Sequence, residues 1–155
     1  NIGVVIWFVI VGMLLYSFMA SSIKDSSKEI GILKALGANM KDIYNYEEPY
    51  DNVVLTGLVG LYEITFEQSW KMMKEILQNH GYEEGSTGSP KIILKTAYKA
   101  GMIKDEDLWL KALRERNNVT HSYNQNIALS IISQAKEKFY DMFCQLKKEI
   151  DENWI

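Results

Sequence analysis

The feature that most constrains the fold of this 155-residue chain is its helical periodicity. Between Val53 and His80, apolar residues recur at steps of three and four, a spacing that places them on one face of a helix. They are Leu55, Leu58, Val59, Tyr62, Phe66, Trp70, Met73 and Leu77. Further amphipathic helices are predicted over Pro90–Ala100, from Asp105 onward, and from Asn124 towards Trp154, and no segment has the two-residue period of a strand. The sequence therefore predicts an all-α fold, an up-and-down bundle of about four to five helices.

Residues typical of helix ends divide these segments. His80 is predicted to be a helix-end residue and not a ligand, because Gly81 follows it and adopts the left-handed conformation at no steric cost. Ser89 precedes Pro90 as an N-cap, and Asp105 can cap the next helix. The turn-forming segment 47–52 is predicted to mark a domain boundary, giving domains 1–45 and 46–155.

The first domain begins with an uncharged apolar run, Ile2–Ala20. As a helix this run would be about 28 Å long, close to the hydrocarbon thickness of a bilayer, so it predicts an N-terminal transmembrane helix and membrane contact through residues 2–20. Lys24 and Lys28 follow it, and the positive-inside rule places that flank, with the helical domain, in the cytoplasm.

Composition excludes several kinds of site. The balance of 17 Lys+Arg against 20 Asp+Glu gives a formal charge of −3, so any contact with RNA must be local. Cys144 is the single cysteine, which excludes an internal disulfide and a Cys-rich zinc site. There is no phosphate-binding glycine motif and no His/Asp/Glu cluster with metal spacing, so neither a cofactor nor a metal is expected.

The segment Arg116–Tyr123 (RNNVTHSY) is the main candidate for chemistry. A guanidinium holds a phosphate in a planar fork, and an imidazole moves a proton near neutral pH. Arg116 and His121, five positions apart, could therefore act on a phosphodiester without a metal. The alternative is a purely structural role at a helix C-terminus. Arg116 would contact the last carbonyl groups of the helix, and Asn118 or His121 would cap it.

The last predicted helix has a period close to a heptad, with Ala128, Ile132 and Ala135 at its start. This seam is typical of one face of a monomeric bundle. It is equally consistent with a face that, together with Phe143 and Trp154, packs against a second copy of the chain.

Two resemblances to known families are present. Glu29–Ala38 (EIGILKALGA) resembles the cytoplasmic signature of FtsX-like, MacB-type ABC-exporter permeases, which makes a permease fragment one candidate function for residues 1–45. No second uncharged run follows Tyr46, so the sequence departs from that family there.

The remainder of the chain resembles the HEPN superfamily, in its branch of nucleotidyltransferase substrate-binding proteins and HepT-like toxins. The resemblance is carried by several motifs in order: Gly57–Val59, Tyr62–Lys71, Ala97–Ile103, Trp109–Leu110 and the Arg116–Tyr123 segment. It implies a homodimeric helical bundle that pairs with a small nucleotidyltransferase in a toxin–antitoxin-like system.

The resemblance also implies roles for individual residues. Arg116 would bind the scissile phosphate of RNA, His121 would be the general acid/base, and Asn117 would orient this pair in a metal-independent endoribonuclease. Tyr123 would accept AMP from the nucleotidyltransferase, which silences the nuclease. The alternative is a non-catalytic adaptor that presents substrate to the nucleotidyltransferase.

The family normally has another amphipathic helix before residue 47, and the permease-like segment occupies that place. The junction therefore predicts either a natural membrane-tethered protein or a chimeric chain made from two gene fragments. In the second case Ile2–Ala20 is expected to fold back and complete the bundle.

Overall fold

The computed structural model describes residues 2–83, 88–122 and 124–155, without the side chains of 2–5 and 22–26. The described part of the chain is helical, and no strand occurs in it, so the predicted all-α bundle is confirmed. The helices are α1 (Ile2–Asn45), α2 (Asn52–Asn79), α3 (Pro90–Lys99), α4 (Glu106–Asn118), α5 (Gln125–Gln134) and α6 (Tyr140–Asn153). A 3₁₀ turn, Val119–His121, follows α4, and a π-helical turn, Ala135–Phe139, joins α5 to α6.

The chain divides into two compact units, the first ending at Gly31 and the second comprising Ile32–Ile155. In the first unit, the apolar side chains of α1 are largely exposed, among them Trp7, Leu14 and Phe18. Within the described residues no helix is both long and apolar enough to cross a membrane, so the predicted transmembrane helix is not found.

The second unit contains the bundle and its single described core cluster. The last part of α1 contributes Leu33, Leu36, Met40 and Ile43 to this core, and each is at most 4% exposed. These residues supply an amphipathic helix before residue 47, at the place where the sequence was expected to lack one. The division between the units therefore lies inside α1, whereas the sequence placed a domain boundary at residues 45/46.

Polar side chains and glycines terminate the helices as the sequence indicates. The Asp51 and Asp105 carboxylates accept hydrogen bonds from the backbone N–H groups of Val54 and Leu108, at 2.8 and 2.9 Å. Gly81, after the α2 C-cap residue His80, has a φ of 82°, which L side chains rarely adopt. The predicted helix-end role of His80 is thereby confirmed, and its ring also packs edge-on against Trp154.

Helices α2 and α4 are fixed against each other by a buried polar contact inside the aromatic core. The Tyr62 hydroxyl donates to the Ala112 carbonyl oxygen at 2.7 Å, and burial, followed by the nearby Glu115 carboxylate, raises the Tyr62 pKa well above its usual value. Trp109 of α4 contacts Phe143 of α6 in an edge-to-face pair. Phe143 is therefore part of the core of its own chain, which excludes it from the face expected to pack against a second copy.

Candidate functional site

Arg116 lies in the last turn of α4, one turn after Ala112, and its side chain extends towards α2. Its Nη2 atom is 3.2 Å from Glu67 Oε2 and 3.7 Å from Glu63 Oε1. The two carboxylates are four residues apart on α2 and therefore project from the same face of that helix. Because the Arg116 side chain is 33% exposed, the guanidinium is paired and still in contact with solvent.

Glu67 is the centre of this charged cluster. Trp70 Nε1 donates to Glu67 Oε2 at 3.0 Å, and Lys71 Nζ lies 2.9 Å from Glu67 Oε1. Burial alone would raise the pKa of the Glu67 carboxyl. The hydrogen bonds from Trp70 and Lys71, and the positive charges of Lys71 and Arg116, outweigh that effect and lower it. Glu67 is consequently held as a carboxylate beside Arg116.

Asn117 is adjacent to this cluster. Its Oδ1 atom accepts a long hydrogen bond, 3.4 Å, from Arg116 Nη1. Arg116 Nε is buried and has no hydrogen-bond partner among the described residues. The guanidinium thus retains one donor that the described protein groups do not satisfy.

His121 closes the 3₁₀ turn that follows α4, and its side chain is exposed. Its backbone carbonyl accepts a hydrogen bond from the N–H of Asn124, the N-cap residue of α5. His121 borders an open cleft of about 440 Å³ between the end of α4 and the start of α5. Among the described residues, this motif cleft is lined by Glu115, Asn118, His121, Asn124, Asn126, Ile127 and Ser130.

The structure brings some of the predicted site residues together and separates others. Arg116 and Asn117 are in direct contact. Arg116 points towards α2, however, and is not among the described residues that line the cleft beside His121. Tyr123, the predicted AMP acceptor, lies outside the described residues.

Three carboxylates were missed by reasoning from the sequence. Glu63 and Glu67 contact Arg116, and Glu115 lines the motif cleft. The signal for the first two was present, since a pair of acidic residues four apart on a helix marks one face. Nothing local indicated that this face meets the end of α4. Among the residues that the structure describes, no group of three or more His, Cys, Asp or Glu side chains could hold a metal ion.

The sequence matches known proteins over most of the second unit. Residues 30–152 match the family described as "Nucleotidyltransferase substrate binding protein like". A Haemophilus influenzae protein named "Probable ribonuclease HepT" is 31% identical over 85 residues, which are 54% of this chain and 58% of that protein. The alignment therefore spans little more than half of this relative.

Two solved structures share the fold. A protein from Thermus thermophilus superposes with a TM-score of 0.65 at 25% identity, covering 77% of this chain and 98% of the other. A Haemophilus influenzae protein, described as revealing the fold of a substrate binding domain of a nucleotidyltransferase, has a TM-score of 0.65 at 22% identity, covering 81% and 98%.

The resemblance of residues 1–45 to an ABC-exporter permease is not supported by these comparisons. The family match begins at residue 30, inside the permease-like signature, and includes the part of α1 that completes the bundle core. With the match extending to residue 152, the chain belongs to the HepT-like family of nucleotidyltransferase substrate-binding proteins in the HEPN superfamily.

Proposed function

We propose that this protein is an endoribonuclease that acts as a homodimer and pairs with a small nucleotidyltransferase. The observation that carries the proposal is the position of Arg116 and His121 at the solvent-accessible end of α4, one side chain partly exposed and the other exposed. The named HepT relative supports the same class of activity. The description of the family supports a nucleotidyltransferase as partner.

The reaction proposed for this site is a transesterification within RNA. The imidazole of His121 takes the proton of a ribose 2′-hydroxyl, and the 2′-oxygen attacks the adjacent phosphorus. The bond from phosphorus to the 5′-oxygen breaks, and that oxygen receives a proton from an imidazolium. The products are a 2′,3′-cyclic phosphate and a 5′-hydroxyl. Arg116 compensates the charge that grows on the phosphate oxygens in the transition state.

A second copy of the chain would supply a second histidine for the reaction. Each chain offers one histidine near Arg116, and His80 is packed against Trp154 at the end of α2. Two-fold pairing about the end of α4 would place two Arg116–His121 sets in one groove, so that one imidazole acts as base and the other as acid. We therefore expect cleavage to depend on dimer formation. Sedimentation velocity measures the fraction of dimer at each protein concentration, and the cleavage rate should rise with that fraction.

The test of nuclease activity uses a matched pair of histidine variants. The full chain is incubated with a mixture of single-stranded RNAs in the presence of EDTA, and the products are identified by mass spectrometry. We expect His121→Ala to reduce cleavage by about 10²–10⁴-fold, the contribution of general acid–base catalysis. His80→Ala should retain cleavage, because that ring contacts the Ile76 carbonyl oxygen at the C-terminal end of α2. Intact RNA with the wild-type dimer, or equal activity of the two variants, would contradict the proposal.

An adaptor role is the second candidate, and the charge around Arg116 favours it. Glu63 and Glu67 already pair with the guanidinium, and an incoming phosphate must overcome their repulsion. As an adaptor, the protein would bind the nucleotidyltransferase and leave RNA intact. The cleavage assay separates the two candidates, since both bind a small nucleotidyltransferase and only the adaptor leaves RNA intact.

Tyr123 is proposed as the site at which the nucleotidyltransferase silences the nuclease. Transfer of AMP forms a bond between the tyrosine oxygen and the α-phosphorus of ATP, with pyrophosphate as the leaving group. After incubation with the partner and ATP, intact-mass analysis should show one added AMP, and Tyr123→Phe should remove that addition. An AMP adduct that persists in Tyr123→Phe would exclude this tyrosine as the acceptor.

A further inference from the structure

We propose that the motif cleft binds one base of single-stranded RNA next to the cleaved phosphate, and that it selects bases carrying an exocyclic amino group. This inference rests on the proposed function for its place in the reaction. It adds a base-binding site that is separate from the phosphate-binding role of Arg116.

The chemistry of the cleft suits a base better than a phosphate. Its acidic lining residue is Glu115, and no lysine or arginine is among the described residues that line it. A carboxylate repels a phosphate, whereas it accepts hydrogen bonds from an amino group such as N4 of cytosine. The half-buried side chain of Ile127 offers an apolar surface to a base face. The cleft therefore combines a hydrogen-bond acceptor with an apolar wall.

The amides in the cleft are available for contacts with base edges. Asn118 Nδ2 lies 3.5 Å from Glu115 Oε2, at the upper limit for a hydrogen bond, so a base amino group can replace this contact at little cost. Asn124 Oδ1 accepts from the backbone N–H of Asn126 at 3.0 Å, which orients the Asn124 side chain and leaves its NH₂ group to donate. Single-stranded RNA is read in this way, by hydrogen bonds to unpaired base edges.

Positive charge lies immediately beyond the cleft. Lys111 is one helical turn before Glu115 on α4, and Arg114 belongs to the same helix. Partial desolvation, followed by the like charge of Lys138 on the π-helical turn, lowers the pKa of Lys111, and Arg114 contributes in the same direction. Lys111 and Arg114, both within four residues of Glu115 on α4, thus bring positive charge to the helix that borders the cleft, although the chain carries a net charge of −3. They are placed to attract the phosphates of an RNA strand whose base occupies the cleft.

A comparison of cytosine with uracil is the sharpest test of the proposed base selectivity. The two bases have the same ring size, but cytosine presents an amino group at C4 where uracil presents a carbonyl oxygen. Facing Glu115, the amino group gains a hydrogen bond and the carbonyl oxygen is repelled. We expect binding of the cytosine form to be about ten-fold tighter, within the range for a base contact of this kind.

The experiment measures binding with probes that cannot be cleaved. The full-length chain is titrated with 2′-deoxy dinucleotides that differ only in cytosine or uracil, and the side-chain amide signals of the asparagines are followed by NMR. We expect shifts at Asn118 and Asn124, and the cytosine probe should bind about ten-fold more tightly. Glu115→Gln should reduce the difference to less than about three-fold, because a neutral amide both donates and accepts. Glu152→Gln, an equal charge change near the end of α6, should leave the difference unchanged.

The outcomes separate the base site from the nuclease. Equal binding of both probes, absence of binding, or loss of discrimination in Glu152→Gln would each overturn the base site, whether or not RNA is cleaved. Selective binding without cleavage of any RNA would instead retain the base site and reject the nuclease. Asn126→Ala, at an exposed position, provides a second variant if Glu115→Gln does not fold, and it should weaken binding of the cytosine probe.

Discussion

Arg116 of α4 and Glu67 of α2 form an ion pair with 3.2 Å between Nη2 and Oε2, although the two residues are 49 positions apart in the sequence. Arg116 is the residue best suited to bind a phosphate, and its partner in this ion pair is a carboxylate that Trp70 and Lys71 hold in place. Glu67 therefore determines where the guanidinium lies before any phosphate arrives. The ion pair between Glu67 and Arg116 therefore affects both the stability of the fold and the charge of the candidate site.

The first prediction concerns the pH dependence of this ion pair. Because the folded state lowers the Glu67 pKa, the carboxylate stabilises the fold at pH values above the usual glutamate pKa of about 4.3, and this stabilisation is lost as pH falls through the lowered value. We expect Glu67→Gln to reduce the free energy of unfolding by about 1 kcal/mol at pH 7 and by less at pH 3. Urea unfolding at the two pH values measures this.

Glu63→Gln is the matched control for that experiment. Glu63 is farther from Arg116, at 3.7 Å, and 42% of its side chain is exposed, so its effect should be smaller than that of Glu67→Gln at pH 7. An equal loss of stability in both variants, or a Glu67→Gln effect that does not change with pH, would contradict the assignment.

A second prediction tests the planar fork of Arg116. Lysine keeps the positive charge but lacks the paired donors of the guanidinium, so we expect Arg116→Lys to lower the rate of RNA cleavage by about 10²-fold, the usual cost of removing a transition-state donor. Arg114→Lys is the control, because Arg114 is not part of the Arg116 ion-pair cluster and its substitution preserves the charge beside Lys111. Rates measured under single-turnover conditions should leave Arg114→Lys within about three-fold of wild type. Wild-type activity in Arg116→Lys would show that charge alone matters, and equal losses in both variants would show that the effect is not specific to Arg116.

The third prediction concerns the contact that fixes α2 against α4. Tyr62→Phe removes the buried hydrogen bond to the Ala112 carbonyl and is expected to reduce the free energy of unfolding by about 1–2 kcal/mol. Tyr98→Phe, at a position that is 46% exposed, should change it by less than about 0.5 kcal/mol. Thermal and urea unfolding of the two variants provide the comparison, and equal stabilities would show that the Tyr62 hydroxyl does not stabilise this contact.

The fourth prediction tests where the folded bundle begins. A fragment comprising residues 46–155 lacks Leu33, Leu36, Met40 and Ile43, whose burial contributes roughly 1.5–3 kcal/mol each as an upper estimate. Their sum is comparable to the total stability of a domain of this size, which is about 5–15 kcal/mol. We expect residues 32–155 to unfold cooperatively in circular dichroism and residues 46–155 not to do so. A cooperative transition at the same temperature for both fragments would place the start of the bundle after α1.

Local signals predicted a large part of this protein. The three- and four-residue steps between Leu55 and Leu77 indicated α2, and Asp105 and Gly81 indicated helix ends, because each of these signals acts within a few residues along the chain. The segment containing Arg116 and His121 was also recognisable, since its spacing is a property of the sequence alone. The proposed roles of these two residues remain to be tested by the variants described above.

The sequence by itself thus determined the helical class, the helix ends and the family to which residues 30–152 belong. Only the tertiary structure decided that the last part of α1 completes the core, that Phe143 is buried against Trp109, and that Glu67 holds Arg116. The physical reason is the range of the interactions. Helical period and capping depend on neighbours within about one turn, whereas the pairing of α1, α2, α4 and α6 depends on how apolar faces distant in the chain pack together.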